Sequence, residues 1–433
     1  MNKSILAVLL LVAAPWVGAE DLLEVYKLAT QRDPVLREAA AQREAQKEAK
    51  PLARSQLLPQ VGLSAGTQYF NDDYRHGPNN DFTASSLSLG VNQVLYRRDK
   101  FIRLEQADWQ IALADDQYRA AEQDLMLRVA KAYFNVLSAQ ESLNFVQADK
   151  KAIARQLEQA KQRFKVGLIA ITGVHEAQAR YDQAVTNEIL AMNELDNAWE
   201  DLRQILGMRP DQLADLKKEI PLESPDPNDI EAWSRMGLQN SPDVKAASDA
   251  TQIAQREIEV ARSGHYPTLD AFGSYGLNDT TEESNPFGDR NEGVIGLRAS
   301  LPLYTGGGVE AATRQARANL IAAQERLDQA RRQVDKQVRN AYRALEASIS
   351  AVKALKAAIV SAKSALDATT AGFEVGTRTM VDVLNAQRDY YRALRDHAKA
   401  RYSYMLAALA LRRAAGVLSE KDLARANSYL QAN

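Results

Sequence analysis

Few residues of this chain have the types and spacing that catalysis or metal binding requires. None of its four histidines has a partner at metal-ligand spacing, and they are scattered over positions 76, 175, 265 and 397. The segment GLSAG at 62–66 matches the G-x-S-x-G pattern of a nucleophilic serine. That pattern needs a sharp strand-to-helix turn at the serine, whereas apolar and polar residues here go on alternating through Ser64 to Tyr69. We therefore expect no esterase, no metal site and no cofactor.

A glycine triplet at 306–308 precedes a helical pattern, as glycine-rich phosphate loops do, but no Lys-Ser/Thr follows it. The triplet is better explained as a tight connection from a strand into the following helix than as a phosphate loop. With no catalytic constellation, the sequence predicts that the protein is not an enzyme.

A row of polar residues in the C-terminal half has the spacing of a helix face. Arg378, Asp382, Asn385 and Asp389 follow one another at i, i+4, i+7 and i+11, which would place them along one side of a helix. In an assembly of several copies, Asp382 would form a ring of carboxylates that favours cations. Alternatively, Arg378 and Asp382 form an ordinary surface ion pair with no role in gating, which would contribute only ~0.3–0.5 kcal/mol to stability. Both interpretations require a helix here.

These polar residues lie in a chain that repeats itself. At an offset of 208 residues, LSLGVNQVLY (87–96) aligns with IGLRASLPLY (295–304). Further along, the offset becomes 209, and VGLIAIT (166–172) aligns with VGTRTMV (375–381). A two-copy repeat of this length is far longer than the 20–50 residues of solenoid repeats. It predicts a molecule built from two equivalent halves.

Long helices are predicted to dominate each half. The stretches from Arg97 to Val166 and from Val309 to Ala371 contain neither Gly nor Pro, and at ~1.5 Å per residue each could reach roughly 100 Å. Their apolar residues recur every three or four positions, which is coiled-coil spacing. A glycine follows each stretch, where a positive φ commonly ends a helix. We therefore predict two helical hairpins with tips at 166–173 and 375–382.

Two shorter segments in each half alternate between apolar and small or polar residues, and a loop-like segment separates each pair, at 71–82 and 278–293. Alternation with period two is typical of half-buried strands, and the lengths suit strands that cross an outer membrane obliquely. Arg298 falls on the small, polar face, which would line a wet lumen. A soluble sandwich would alternate in the same way. Because four strands cannot close a barrel, several copies would have to share one.

The N-terminus and the composition limit where the protein acts. The 433 residues are 45% hydrophobic with a formal net charge of −2, so the chain offers no basic patch for nucleic acid. Residues 1–19 combine a lysine, an apolar stretch and small residues, as secretory signal peptides do. An N-terminal anchor is the alternative, although the apolar run is shorter than a membrane helix needs. We expect export to the periplasm, the exterior or an outer membrane.

The sequence resembles the TolC-like outer-membrane efflux protein family over nearly the whole mature chain. The resemblance rests on the repeat, the strand exit PLYTGGG and the hairpin segments RFKVGLIAIT and VGTRTMVDVLNA. It implies an α+β fold, mostly α. In that fold a homotrimer forms an outer-membrane β-barrel in contact with lipid, with four strands per chain, and a long periplasmic α-helical barrel continues it.

The resemblance also implies two sites at the hairpin tips. The tips would dock with a periplasmic adaptor (membrane fusion protein) and an inner-membrane pump of the RND or ABC type, through Val166, Gly167, Leu168, Val375, Gly376 and Thr377. The aperture that closes the duct is assigned to Thr172, Phe373, Arg378, Asp382 and Asn385.

Three positions depart from the family pattern at this aperture. Asn385 stands for a second ring aspartate, Phe373 for a tyrosine, and Gly173 for the aspartate after the first tip. Thr172 could still accept a hydrogen bond from Arg378. These departures bear on how firmly the resting duct closes.

The sequence as a whole predicts a passive outer-membrane exit channel for drug efflux, type I protein secretion or both. The alternative is a coiled-coil structural or adhesive surface protein that transports nothing. The predicted division is a signal peptide (1–19), a first repeat (20–207), an equatorial connection (208–240), a second repeat (241–416) and a C-terminal equatorial segment (417–433).

Overall fold

The computed structural model describes residues 20–72, 80–281 and 290–431. The predicted signal peptide lies outside the described residues, as do the central parts of the two loop-like segments.

The described chain is mostly helical, with a small amount of sheet. In chain order its elements are α1 (Leu22–Arg32), α2 (Pro34–Lys47), α3 (Ala49–Ser55), β1 (Gln60–Asp72), β2 (Asn80–Tyr96), α4 (Arg98–Lys165), α5 (Ile171–Leu206), β3 (Asp215–Leu216), α6 (Ile230–Asn240), α7 (Pro242–Arg262), β4 (Thr268–Thr280), β5 (Arg290–Ser300), α8 (Gly308–Glu374), α9 (Met380–Ala414), α10 (Glu420–Asn427) and β6 (Leu430–Gln431). The α+β, mostly α, class and the internal repeat are confirmed.

The four predicted helices of the two hairpins are all present. α4 and α8 contain 68 and 67 residues, and α5 and α9 contain 36 and 35. The strands are longer than the alternating segments suggested. β1 and β2 extend to Asp72 and back to Asn80, so the first predicted loop is shorter than 71–82. β4 and β5 likewise shorten the second predicted loop. In both loops the backbone hydrogen bonds between the strands continue into residues of types common in loops.

The chain divides into two compact units, and one of them, Glu38–Ala121 with Leu238–Lys336, contains a four-stranded antiparallel sheet. The strand order is β1-β2-β4-β5, so β1 and β5 form its edges. Each half of the repeat contributes one hairpin of strands, and β2 joins β4 at the centre.

The sheet has one apolar face that runs across all four strands. Leu63 lies opposite Leu89, Leu89 lies opposite Tyr275, and Ala271 lies opposite Leu297. This face carries large exposed side chains, among them Leu63 at 70% and Leu297 at 69% exposure. The other face carries mainly glycine, serine and polar residues, as period-two alternation requires.

The other unit consists of the described residues up to Arg37, Glu122–Gly237 and the described residues from Gln337 to Gln431. Its core contains the fully buried rings of Tyr133 and Phe134, and the Phe134 ring lies 6.2 Å from that of Tyr402. The Tyr133 hydroxyl donates to the carbonyl oxygen of Ala214 (2.8 Å). β3 pairs with β6, which joins the segment between the two halves to the C-terminal segment.

A buried ion pair joins the start of α2 to α4 within this unit. Asp33 is 2% exposed, and its two carboxylate oxygens accept from the Arg128 guanidinium at 3.1 and 2.8 Å. The amide of Leu36 donates a third hydrogen bond (2.8 Å), so Asp33 also caps the first turn of α2.

Candidate functional site at the hairpin tips

Each helical hairpin turns through a glycine with a positive φ, as the sequence predicted. Gly167 has φ +76° and Gly376 has φ +80°, in the left-handed region that a Cβ disfavours. Next to them lie the apolar side chains of Val166, Leu168 and Val375, which are 70%, 73% and 76% exposed.

Both tips end their first helix with the same hydrogen bond. The amide of Leu168 donates to the carbonyl oxygen of Arg163 (2.9 Å), and the amide of Thr377 donates to that of Gly372 (2.8 Å). Each of these hydrogen bonds spans six residues and is the 6→1 bond of the Schellman motif, which satisfies the last carbonyl groups of a helix. The two copies of the repeat therefore use one turn geometry at both tips.

A capping box fixes the start of α9. The hydroxyl of Thr379 accepts from the amide of Asp382 (3.2 Å), and a carboxylate oxygen of Asp382 accepts from the amide (2.9 Å) and hydroxyl (2.8 Å) of Thr379. The hydrogen bonds from the Thr379 amide and hydroxyl hold the pKa of Asp382 below its ordinary value, and the nearby Arg378 lowers it further. Asp382 is therefore ionised at neutral pH.

The capping box corrects one prediction about the polar row. Because α9 begins at Met380, Arg378 precedes the helix and does not continue the face that carries Asp382 and Asn385. Its aliphatic stem lies instead against Gly372, where an added Cβ would come within 2.8 Å of the Arg378 Cγ. The predicted helical spacing was wrong at Arg378 because Thr379 caps the N-terminus of α9, so the helix does not extend back to Arg378.

A cavity of about 690 Å³ lies between the two tips, and both hairpins line it. Thr172 and Arg378 both border this cavity, although the described residues show no hydrogen bond between their side chains. Phe373 also borders it, and the Arg163 guanidinium lies 4.7 Å from the centre of the Phe373 ring. This cation–π contact joins α4 to α8 at the position where the family pattern has a tyrosine and this chain has Phe373.

Apolar packing holds the hairpins together beneath the cavity. The cluster draws on α4, α5 and α9, and consists of Ile153, Leu157, Ala160, Ala177, Ala184, Met380 and Leu384. Phe373 packs against its edge. Three alanines in this set let the helices approach closely.

Two polar contacts between the hairpins were not predicted. The Arg180 guanidinium of α5 donates to the Asn385 side-chain oxygen of α9 (2.9 Å), so Asn385 supplies a restraint of its own. The Gln387 amide of α9 donates to the carboxylate of Asp149 in α4 (2.9 Å), a carboxyl whose pKa burial raises. Neither pair has a sequence signal, because each depends on how two helices that are distant in sequence face one another. The repeat itself aligns Arg180 with an acidic residue, Asp389.

Arg298 lies in the unit that contains the sheet. Its guanidinium stacks 4.8 Å from the centre of the Phe272 ring, on the polar face as predicted. Its register partner, Asp270, pairs with Arg97 through contacts of 3.1 and 2.8 Å.

Across residues 20–72, 80–281 and 290–431, no group of three or more His, Asp or Glu side chains is arranged to hold a metal ion. In the same residues, no helix has the length and apolar character needed to span a membrane.

Comparison with known proteins relates this architecture to outer-membrane channels. The family model described as "Outer membrane efflux protein" matches residues 25–208 and 233–417, one match for each half. The outer membrane protein TolC of Vibrio cholerae is 44% identical over 420 residues, which cover 96% of this chain and 95% of that protein. The alkaline protease secretion protein AprF of Pseudomonas aeruginosa is 30% identical over 418 residues, or 94% of this chain and 86% of AprF.

Solved structures share the fold at lower identity. The Campylobacter jejuni CmeC outer membrane channel aligns with a TM-score of 0.79 and 17% identity, covering 95% of this chain and 90% of that one.

Proposed function

Since this chain belongs to the outer membrane efflux protein family, we propose how its parts build the duct. The protein is an outer-membrane exit channel that extends into the periplasm, of the kind that serves drug efflux and type I secretion. We propose that it acts as a homotrimer. Its tips dock with a periplasmic adaptor and an inner-membrane pump of the RND or ABC type.

The observation that supports the trimer proposal is a sheet with two open edges and one exposed apolar face. β1 and β5 have no strand on their outer sides among the described residues. Open edges of this kind invite pairing with another chain. Four strands cannot close, whereas three copies supply twelve. The apolar face then meets lipid, and Arg298 on the other face lines the lumen, where a guanidinium is hydrated.

The docking proposal rests on the exposed apolar side chains of the tips. Val166, Leu168 and Val375 project from glycine-closed turns, and clustered exposed apolar groups are typical of partner surfaces. Gly167, Gly376 and Thr377 shape the turns that present them. An adaptor with a matching apolar groove would cover both tips.

A charge substitution tests the docking proposal. In cells that lack their own exit duct, Leu168→Asp should abolish export of a fluorescent dye, while Leu168→Met, which keeps the apolar volume, should retain it. Both variants should reach the outer membrane as trimers. Normal export by Leu168→Asp at normal expression would remove the first tip from the docking surface.

The aperture proposal assigns a ring of three carboxylates to Asp382, with Arg378, Thr172, Phe373 and Asn385 around it. Asp382 is ionised and held by its cap, so its charge has a fixed position. An acidic constriction favours cations. Asp382→Asn should therefore weaken cation selectivity, measured as the reversal potential under a salt gradient, and an unchanged potential would place Asp382 outside the constriction.

A further inference from the structure

One arginine on the polar face of the sheet has a positive charge without an ion-pair partner among the described residues. Arg298 is exposed, and the carboxylate nearest to it on that face belongs to its register partner, Asp270. Asp270 already accepts two hydrogen bonds from the Arg97 guanidinium, at 3.1 and 2.8 Å. The pair of Arg97 and Asp270 is therefore neutral as a unit, and the charge of Arg298 is left over.

Local packing positions the Arg298 side chain. Phe272 pairs with Gly296 across the sheet, and its ring covers that glycine, where an added Cβ would come within 2.8 Å of the Phe272 Cζ. The Arg298 guanidinium stacks on the same ring, 4.8 Å from its centre. Covering a glycine of an edge strand requires only the aromatic ring. The stacked guanidinium thus keeps its N–H groups for another acceptor.

Other charges on the polar face lie far from this group. The next charged residues on that face of β5 are Glu292 and Arg290, which pair with each other (3.4 Å). Glu292 is six residues from Arg298, or about 20 Å along the strand, and the Debye length at physiological salt is only about 8 Å. The neighbouring polar-face positions of β1 and β2 are uncharged. The potential at the level of Arg298 is therefore positive within one chain.

Resting on the proposed trimeric duct, in which the polar face lines the lumen, we infer that Arg298 is a binding site for the carboxylate groups of acidic, extended polypeptide cargo. Three copies place three guanidinium groups at one level around the lumen. Each guanidinium offers two parallel N–H groups to a carboxylate. Because the side chain is already stacked on Phe272, it loses little conformational freedom when it binds.

Three separate guanidinium groups favour a chain with several carboxylates over a small organic acid. A single exposed arginine binds one carboxylate weakly in water. Once a flexible acidic chain is held by one arginine, it can contact the next one intramolecularly, which lengthens the time it stays bound. Each contact remains weak and exposed, so the chain can still leave, as passage through a duct requires.

Current block by a peptide tests this site in planar bilayers. Decaglutamate, added to the compartment that the strand turns face, should interrupt the current through parent trimers for resolvable times. Decaglutamine at the same concentration should not, because it carries no carboxylates. Free glutamate at the same carboxylate concentration should not either, because one molecule cannot contact two arginines.

Three variants separate the charge of Arg298 from other effects. Arg298→Gln should shorten the mean block by decaglutamate about tenfold, since the charged contacts of all three copies are lost. Arg298→Lys keeps the charge but not the planar group and should give an intermediate time. The matched control is Arg290→Gln, which removes an arginine of the same face of β5 that already pairs with Glu292. It should leave the block time unchanged.

The outcomes distinguish this site from the duct itself. Equal block times in the parent and Arg298→Gln, or an equal block by decaglutamine, would overturn the carboxylate site, while normal conductance steps would leave the proposed function intact. An equal block by free glutamate would overturn the preference for polypeptide. Trimers that give no conductance steps before any peptide is added would overturn the proposed function and this inference with it.

Discussion

At the scale of a residue, the φ of Gly376 has a direct energetic consequence. No atom lies within 4 Å of an added Cβ there, so alanine would be disfavoured only by the backbone conformation, by about 1–2 kcal/mol. Gly376→Ala should therefore speed hydrogen exchange of the Thr377 amide about 5- to 30-fold. Gly173→Ala is the matched control, because its Cβ would make only an ordinary contact with Ile169 (3.6 Å). Equal exchange in the parent and Gly376→Ala would contradict the positive φ of this turn.

The buried Asp33 makes the stability of the folded protein depend on pH. Burial alone would raise the pKa of Asp33, but the hydrogen bonds from Arg128 and the Leu36 amide lower it below its ordinary value. The unfolded chain then binds the proton more readily than the folded protein. This contribution to stability is complete above the ordinary pKa of about 3.9 and is lost as the pH falls through the lower, folded-state pKa.

Asp33→Asn should therefore lower the unfolding midpoint at neutral pH and make it fall less steeply below about pH 4. Circular dichroism melts across this range measure the effect. The control is Asp328→Asn, since Asp328 forms a surface ion pair with Arg332, one turn away on the same helix. Parallel pH profiles for Asp33→Asn and the parent would show that the Arg128 pair contributes nothing.

At the scale of elements, polar contacts within one chain restrain the two helical hairpins. The bond from Arg180 to Asn385 joins α5 to α9, and its removal leaves the Asn385 side chain without that partner. Arg180→Ala should raise the mean conductance of reconstituted channels by letting the second hairpin move outward more often. Gln183→Ala, which removes a hydrogen bond to Asn187 on the same helix, should leave the mean conductance unchanged. Identical conductance histograms would make Arg180 a surface residue without a role in closure.

Sequence periodicity predicted the helices and strands more completely than it predicted the contacts at the hairpin tips. The long stretches without Gly or Pro predicted the hairpin helices, the glycine after each stretch predicted the two tip turns, and the period-two alternation predicted the strands and the polar face of Arg298. The start of α9 was misjudged at Arg378 because a local competition, the Thr379–Asp382 capping box, decided it. The Arg180–Asn385 and Asp149–Gln387 contacts could not be predicted, since each depends on how two helices distant in sequence face one another.

At the scale of the whole molecule, the fold divides two tasks between two kinds of surface. The sheet has an exposed apolar face and two open edges, which we propose face lipid and other copies, whereas the hairpins provide tips with exposed apolar residues. The family membership and the open edges together favour a shared duct over a coiled-coil structural or adhesive protein. Only the duct provides a continuous path for ions.

Single-channel recording in planar lipid bilayers tests the duct most directly. Purified trimers added to one side should give discrete, long-lived conductance steps with a preference for cations, and Asp382→Asn should reduce that preference without abolishing the steps. A coiled-coil surface protein would insert no steps at all. Trimers of confirmed mass that leave the bilayer current at its baseline would contradict the central claim that this chain forms an outer-membrane exit channel.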